Sequence, residues 1–192
     1  DMCYARDGDD EFHAVFDHTT CNIVHPSNLA PALMAYDAKL EILSPEGKKE
    51  EVEVGDFFLS PEEDILRENI LEPNQLVTRV ILPKGSENPK SAFFEVREKQ
   101  SYDWSICAST VALRMDGDVV KDARVILSAV APTPVRRDDI EDFLKGKKLT
   151  EDVLKEAGKL AVAEATPLRD NKFKMILVKA TLARAARQAM KG

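Results

Sequence analysis

An α+β fold is the class this sequence predicts, with a small antiparallel sheet packed on helices towards its C-terminal end. Three observations carry that prediction. Apolar residues alternate with period two through three successive runs between Ser91 and Ala131. After "APTPVRR" the repeat lengthens to about 3.6 residues, that of an amphipathic helix. The first half interleaves one capped helix with strand-like runs and turn signals. Three strands followed by three helices pack as a small two-layer sandwich.

Each element has its own signal. Residues 1–26 are polar and acidic, with one alternating run, "FHAVF", that predicts a short strand. A helix follows: Ser27 or Asn28 caps it, Pro31 falls in the first turn where a missing N–H costs nothing, and Leu29, Leu33 and Met34 share a face. "AKLEIL" alternates and turns at "SPEGKK" into "EEVEV", which reads as a β-hairpin. "GDFFLS", an acidic helical stretch around "EEDILREN" and the strand "QLVTRVILP" come next. "KGSENPK" (Lys84 to Lys90) is the best linker and divides the chain into parts 1–87 and 88–192. Beyond it run the strands "SAFFEVREK", "SICASTVALRM" and "VKDARVILSAVA", the last two joined at "MDGD", whose Asp-Gly pair is a strong hairpin signal. The helix "DDIEDFLKGKK" opens on aspartates and closes on lysines around Gly146, matching the helix dipole at both ends. Thr150 caps "TEDVLKEAGKLAVAEA", and "NKFKMILVKATLARAARQAMK" is a long final helix with a wide apolar face.

Bulk composition sets limits on function. The 192 residues are 44% hydrophobic and 32% charged, the balance of a soluble globular protein. A net charge of −7 argues against a nucleic-acid grip, which runs on an excess of Lys and Arg. No segment approaches the roughly 20 apolar residues that span a bilayer. The sequence begins with Asp1 and reads as a piece of something longer. Three cysteines, an odd number, point to a reducing cytoplasm and away from a secreted disulfide scaffold.

Candidate chemistry centres on the cysteines. Cys107 sits in the apolar run "SICASTVAL" and reads as core. Cys3 and Cys21 lie in a polar stretch with no apolar burial to explain them, and three readings stay open: a disulfide, free thiols, or half of a metal or Fe–S site. His13, His18 and His25 lie nearby but match no zinc-finger spacing, and His25 before Pro26 reads as packed or hydrogen-bonded at a turn. No Gly-x-Ser-x-Gly or His-Glu-x-x-His is present, and eight glycines form no phosphate-cradling loop. Trp104 in "YDW" could stack on a flat ring; a lone Trp beside a strand is more often core or rim.

The ordered stretches "HPSNLAPAL", "DFF", "LEPNQLVTRVILP", "SAFFEVREKQSYDWSICASTVALRM", "ARVILSAVAPTPVR" and "ATPLRDNKFKMILVKATLARAA" cover nearly the whole chain. Together they resemble the FAD-binding medium subunit of the molybdenum hydroxylases, the xanthine dehydrogenase and carbon monoxide dehydrogenase family. The resemblance implies the rear portion of a flavin-binding α+β domain (1–87) followed by the C-terminal α+β domain (88–192), a three-stranded antiparallel sheet on three helices. It implies an oxidoreductase subunit passing electrons from Fe–S clusters through FAD to NAD or another acceptor. Its partners would be a molybdopterin-binding large subunit and a 2Fe–2S small subunit. The family's pyrophosphate-binding glycine loops belong to an N-terminal half that has no counterpart in this sequence.

Site residues follow by the same resemblance. The family often has Asp where "HPSNLAP" has Asn28, contacting the ribityl part of FAD; an amide still hydrogen-bonds a hydroxyl without bringing charge. A branched aliphatic near the flavin ring corresponds to Val77. An aromatic or lysine that approaches the ring falls at Phe94 or Glu95, with the register open by one. Some members, of the aldehyde-oxidoreductase and hydroxybenzoyl-CoA-reductase kind, carry a segment with four cysteines holding a 4Fe–4S cluster. Cys21 before "IVHPSN", and Cys3 ahead of "EFHAVF", look like two of those four ligands. Two rival readings are a non-catalytic assembly module that docks partner subunits, and a small binding protein stapled through Cys3 and Cys21.

Overall fold

A computed structural model describes residues 3–85, 89–100 and 102–191. Two antiparallel sheets organise it. The first holds β1 (Lys39–Leu43), β2 (Lys49–Glu53) and β3 (Leu76–Ile81) in the order β2-β1-β3. The second holds β4 (Lys90–Val96), β5 (Cys107–Asp116), β6 (Val119–Ser128) and the two-residue β7 (Val135–Arg136) in the order β4-β5-β6-β7. The three long strands predicted for the C-terminal sheet are present, and β7 adds a short fourth. The centre of the predicted linker, residues 86–88, lies outside the described residues.

Both predicted hairpins form. β1 pairs with β2 across a turn in which Gly47 takes φ 79°, and β5 pairs with β6 across Gly117 at φ 57°. Left-handed backbone of this kind is cheap only for glycine, so the Asp-Gly signal named the turn correctly.

One face of the second sheet carries α4 (Asp138–Leu144), α5 (Glu151–Leu160) and α6 (Lys174–Lys191). Strand alternation sorts β5: Cys107, Val111 and Leu113 enter this core, together with Val178, Leu182, Ala185, Ala186 and Ala189 of α6. The small alanines let α6 lie close to the strands. The opposite face, with Ala112 and Ile126, packs under α2 (Leu29–Ala35) and joins Met34, Ala38, Leu40 and Val54 in a smaller core. Burial on both faces explains why Cys107–Leu113 is an unbroken buried run.

Three expectations for the first part need correction. "FHAVF" is no strand: its amides reach Asn22 and Val130, while its carbonyls are taken by side chains from the far end of the chain. "EEDILREN" is no helix but a run of turns, with Ile65 59% and Leu66 89% exposed. α2 buries Ala30, Pro31, Met34 and Ala35, not Leu29, which is 66% exposed. Val15 and Phe16 of the "FHAVF" run belong to the core beneath α4–α6. The one-turn helices α1 (Tyr4–Asp7) and α3 (Val54–Phe57) had no sequence signal. Among the described residues no helix is long and apolar enough to cross a membrane.

Candidate functional site

The candidate site is the seam between the two sheets, at the N-terminal end of α2. Ser27 caps that helix, its Oγ accepting from the Ala30 N–H at 3.1 Å. The cap leaves the Asn28 amide free to reach across the seam, where Nδ2 donates to Glu95 Oε2 at 3.4 Å. The Ser105 hydroxyl lies between Asn28 Oδ1 (3.4 Å) and Glu95 Oε2, and its single proton favours the charged acceptor. Arg97 Nη2 pairs with the other carboxylate oxygen of Glu95 at 3.2 Å. One residue from the first unit and three from the second thus form a continuous polar cluster.

Alternation along β4 separates the two positions left open by sequence. Phe94 faces α6, where the Arg184 guanidinium stands 5.1 Å from its ring centroid. Glu95 shares the opposite face with Ser91, whose Oγ meets the Tyr36 hydroxyl at 2.9 Å. Glu95 is therefore at the seam and Phe94 is not. Val77 packs half-buried against the small core that seats α2.

Beside Ser105 opens a groove of about 390 Å³ lined by Phe12, Val24, Trp104 and Ile106 with Glu98 and Asp103. A second groove of similar size shares Phe12, Val24 and Trp104 and runs on to His25 and Pro26. Trp104 is 72% exposed, so the core reading of this residue fails and its ring is open to a ligand. His25 is packed at the turn, as expected: its ring meets Phe58 edge-on at 4.5 Å, and burial pulls its pKa down. Ser105 and Arg97 went unnoticed in the sequence, because a single Ser in a loop and one Arg in a charged run carry no pattern.

Cys3 and Cys21 are both free and half-buried, as no disulfide joins them. The buried Asn22 donates from Nδ2 to Cys3 Sγ at 3.1 Å, which holds the thiol below its usual pKa. Asn22 Oδ1 in turn faces His18 Nδ1 at 2.7 Å. Among the described residues no three His, Cys, Asp or Glu side chains are grouped to hold a metal ion. Cys107 is buried beside Thr181, and burial pushes its thiol up to about 11.

An aromatic groove beside a polar cluster at the seam of an α+β protein is the kind of place where small-molecule and cofactor sites form. Two family models match in series. Residues 20–85 match the FAD binding domain in molybdopterin dehydrogenase, and residues 92–189 match the CO dehydrogenase flavoprotein C-terminal domain. The aldehyde oxidoreductase FAD-binding subunit PaoB of Escherichia coli K12 is 31% identical over 97% of this chain and 56% of its own length. The carbon monoxide dehydrogenase medium chain of Hydrogenophaga pseudoflava is 29% identical over 76% of this chain and 49% of its own. Among solved structures, carbon monoxide dehydrogenase from Hydrogenophaga pseudoflava superposes with a TM-score of 0.75 at 24% identity, over 86% of this chain and 57% of that one. Quinoline 2-oxidoreductase from Pseudomonas putida 86 gives 0.74 at 21% identity, over 95% and 60%. These last two establish the fold alone. The chain belongs to the family of FAD-binding medium subunits of the molybdenum hydroxylases, the carbon monoxide and xanthine dehydrogenase kind. It spans about half the length of the curated relatives it matches.

Proposed function

We propose that this chain is the rear part of an FAD-binding electron-transfer subunit in a molybdenum-dependent hydroxylase or dehydrogenase. The observation that carries this reading is the convergence of Asn28 with Ser105 and Glu95 beside the groove walled by Trp104, Val24 and Ile106. FAD, when bound, would supply the redox chemistry between Fe–S clusters and an acceptor, while the protein would contribute binding, orientation and electrostatics.

The residues present fit the ring and ribityl end of the cofactor. Asn28 offers both a donor and an acceptor to a sugar-like hydroxyl. Trp104 and its apolar neighbours give a flat ring a wall, and a volume of about 390 Å³ per groove falls within the range of cofactor clefts. Glu95 holds Arg97 at the seam, so a cation stands beside the polar cluster. Val77 contributes by shaping the core that seats α2, and Phe94 by anchoring β4 against α6. Among the described residues no glycine-rich loop offers a pyrophosphate cradle.

Partners in this reading are a molybdopterin-binding large subunit and a 2Fe–2S small subunit, and three free thiols suit the cytoplasm. Cys3 and Cys21 are two of the four ligands that a 4Fe–4S cluster requires. Alone they do not complete a site.

The test is a visible absorption spectrum of the complex purified with its partner chains, followed by acid release of cofactor. A flavin band with released FAD, both reduced by Asn28→Ala and Trp104→Ala, supports the proposal. A colourless, folded complex overturns it and leaves a docking module.

A further inference from the structure

α2 is fastened to the second unit at both ends: at its start by Asn28, and at its close by the Tyr36–Ser91 hydroxyl pair and by Asp37. The C-terminal end of α2 closes by two crossed backbone bonds, Ala38 N–H to the Leu33 carbonyl and Asp37 N–H to the Met34 carbonyl, each 3.0 Å. This closure puts the residue after the cap in the left-handed region, where glycine is the ordinary occupant. Here the position is held by Asp37 at φ 50°. A side chain that accepts a conformational cost glycine would avoid needs a reason.

The reason is visible in its contacts. Arg124 Nε of β6 donates to Asp37 Oδ1 at 2.8 Å and to Oδ2 at 3.0 Å, and Arg136 Nη1 of β7 donates to Oδ1 at 3.2 Å. Both arginines are held independently of Asp37. Glu141 of α4, only 3% exposed, accepts from Arg136 Nε at 3.1 Å and Nη2 at 2.9 Å, and from the Val125 N–H at 3.0 Å. Asp122 takes Arg124 Nη1 at 2.9 Å. The second unit thus presents a preformed cationic socket, so little side-chain freedom is lost when Asp37 enters it.

Between its ends, α2 rests on the sheet through Ala30, Met34 and Ala35 over Ala112 and Ile126. Apolar contact of this kind is non-directional and sets no register along the helix axis. The ion pairs at Asp37 do. The ten residues from Asn28 to Asp37 act as a short rod, nine helical steps or about 13 Å long, so the place where Asp37 is gripped fixes where Asn28 stands against Ser105 and Glu95. We propose that Asp37 is a positioning residue: its clasp with Arg124 and Arg136 aligns the two walls of the seam. The consequence for cofactor binding rests on the flavin reading above; the clasp itself does not.

The test uses the complex with its partner chains, carrying Asp37→Asn or Asp37→Gly. Asn tolerates the left-handed region and keeps the shape while removing the charge; Gly relieves the strain as well. A merely structural role makes Gly neutral or stabilising. The positioning role predicts near-native melting temperatures in both variants, FAD release faster by about tenfold, and faster amide exchange over residues 28–38 with exchange in β5 unchanged. Unchanged exchange over 28–38 in both variants overturns the clasp. If the wild-type complex carries no FAD, the flavin reading fails separately, and amide exchange still decides for or against Asp37.

Discussion

Lys174 is the residue with the most to lose. It is fully buried, and its ammonium donates to the carbonyls of Phe12 at 2.8 Å, His13 at 2.9 Å and Ala129 at 3.1 Å. Lys174→Met strands three acceptors, and the net cost is about 2 kcal/mol in chemical denaturation. Burial lowers its pKa from 10.5 to about 8. Between those two values the unfolded chain holds a proton that the folded chain has released, so stability from this group rises with pH across that window. Denaturation from pH 7 to pH 9, below the range where the raised Cys107 thiol acts in the opposite direction, should therefore show a rise in wild type that Lys174→Met lacks. The thiols give a second check: an alkylating reagent should modify Cys3 and Cys21 in the folded protein and spare Cys107, the thiol pushed up to about 11. Cys107 was legible because its neighbours are apolar. Lys174 was not, since a lysine among lysines gives no sign that the carbonyls it will hold lie at the other end of the sequence.

Elements with both a period and a punctuation mark were read correctly. Thr150 shows why: its Oγ1 accepts from the Val153 N–H at 3.3 Å at the start of α5, and Thr150→Ala should cost about 1 kcal/mol in a urea titration. "EEDILREN" had composition without an apolar face. Ser60 and Glu63 close on each other like a capping box, with the Ser60 N–H 2.8 Å from Glu63 Oε2, yet nothing lies beneath for Ile65 and Leu66 to cover. A helix that short does not persist without packing, and Arg67 ties the loop to the Leu71 carbonyl instead. "FHAVF" failed for the opposite reason. It has a strand's pattern, but Lys174 and Asn171 occupy the carbonyls that a ladder would use. Asp37 belongs to this scale too: its location one past a helix cap, where glycine is usual, was a readable signal that went unread.

At the scale of the molecule, sequence order and spatial order part company in the first twenty-six residues. The first sheet ends at Ile81 and the second begins at Lys90, but the opening segment packs with the second. Val15 and Phe16 lie in the second core, both amides donate to the Val130 carbonyl, and Arg169 Nη2 reaches the Gly8 carbonyl at 2.7 Å. A C-terminal unit made from residue 89 onward should lose roughly 2 kcal/mol for each of these two buried side chains, and a peptide of residues 3–26 added in trans should restore its urea midpoint. The seam was legible only as the list of residues expected to meet a flavin; which of them face one another required the strand register. The hold of Lys174 on residues 12 and 13 also has a consequence for biosynthesis. Residues 12 and 13 leave the ribosome well before the helix that holds them is made. At about 5–20 residues per second, the segment carrying Cys3 and Cys21 waits on the order of ten seconds without its docking surface. Its two thiols meet chaperones, metal donors and oxidants on an undocked segment for that interval, before Lys174 arrives to hold residues 12 and 13 in place.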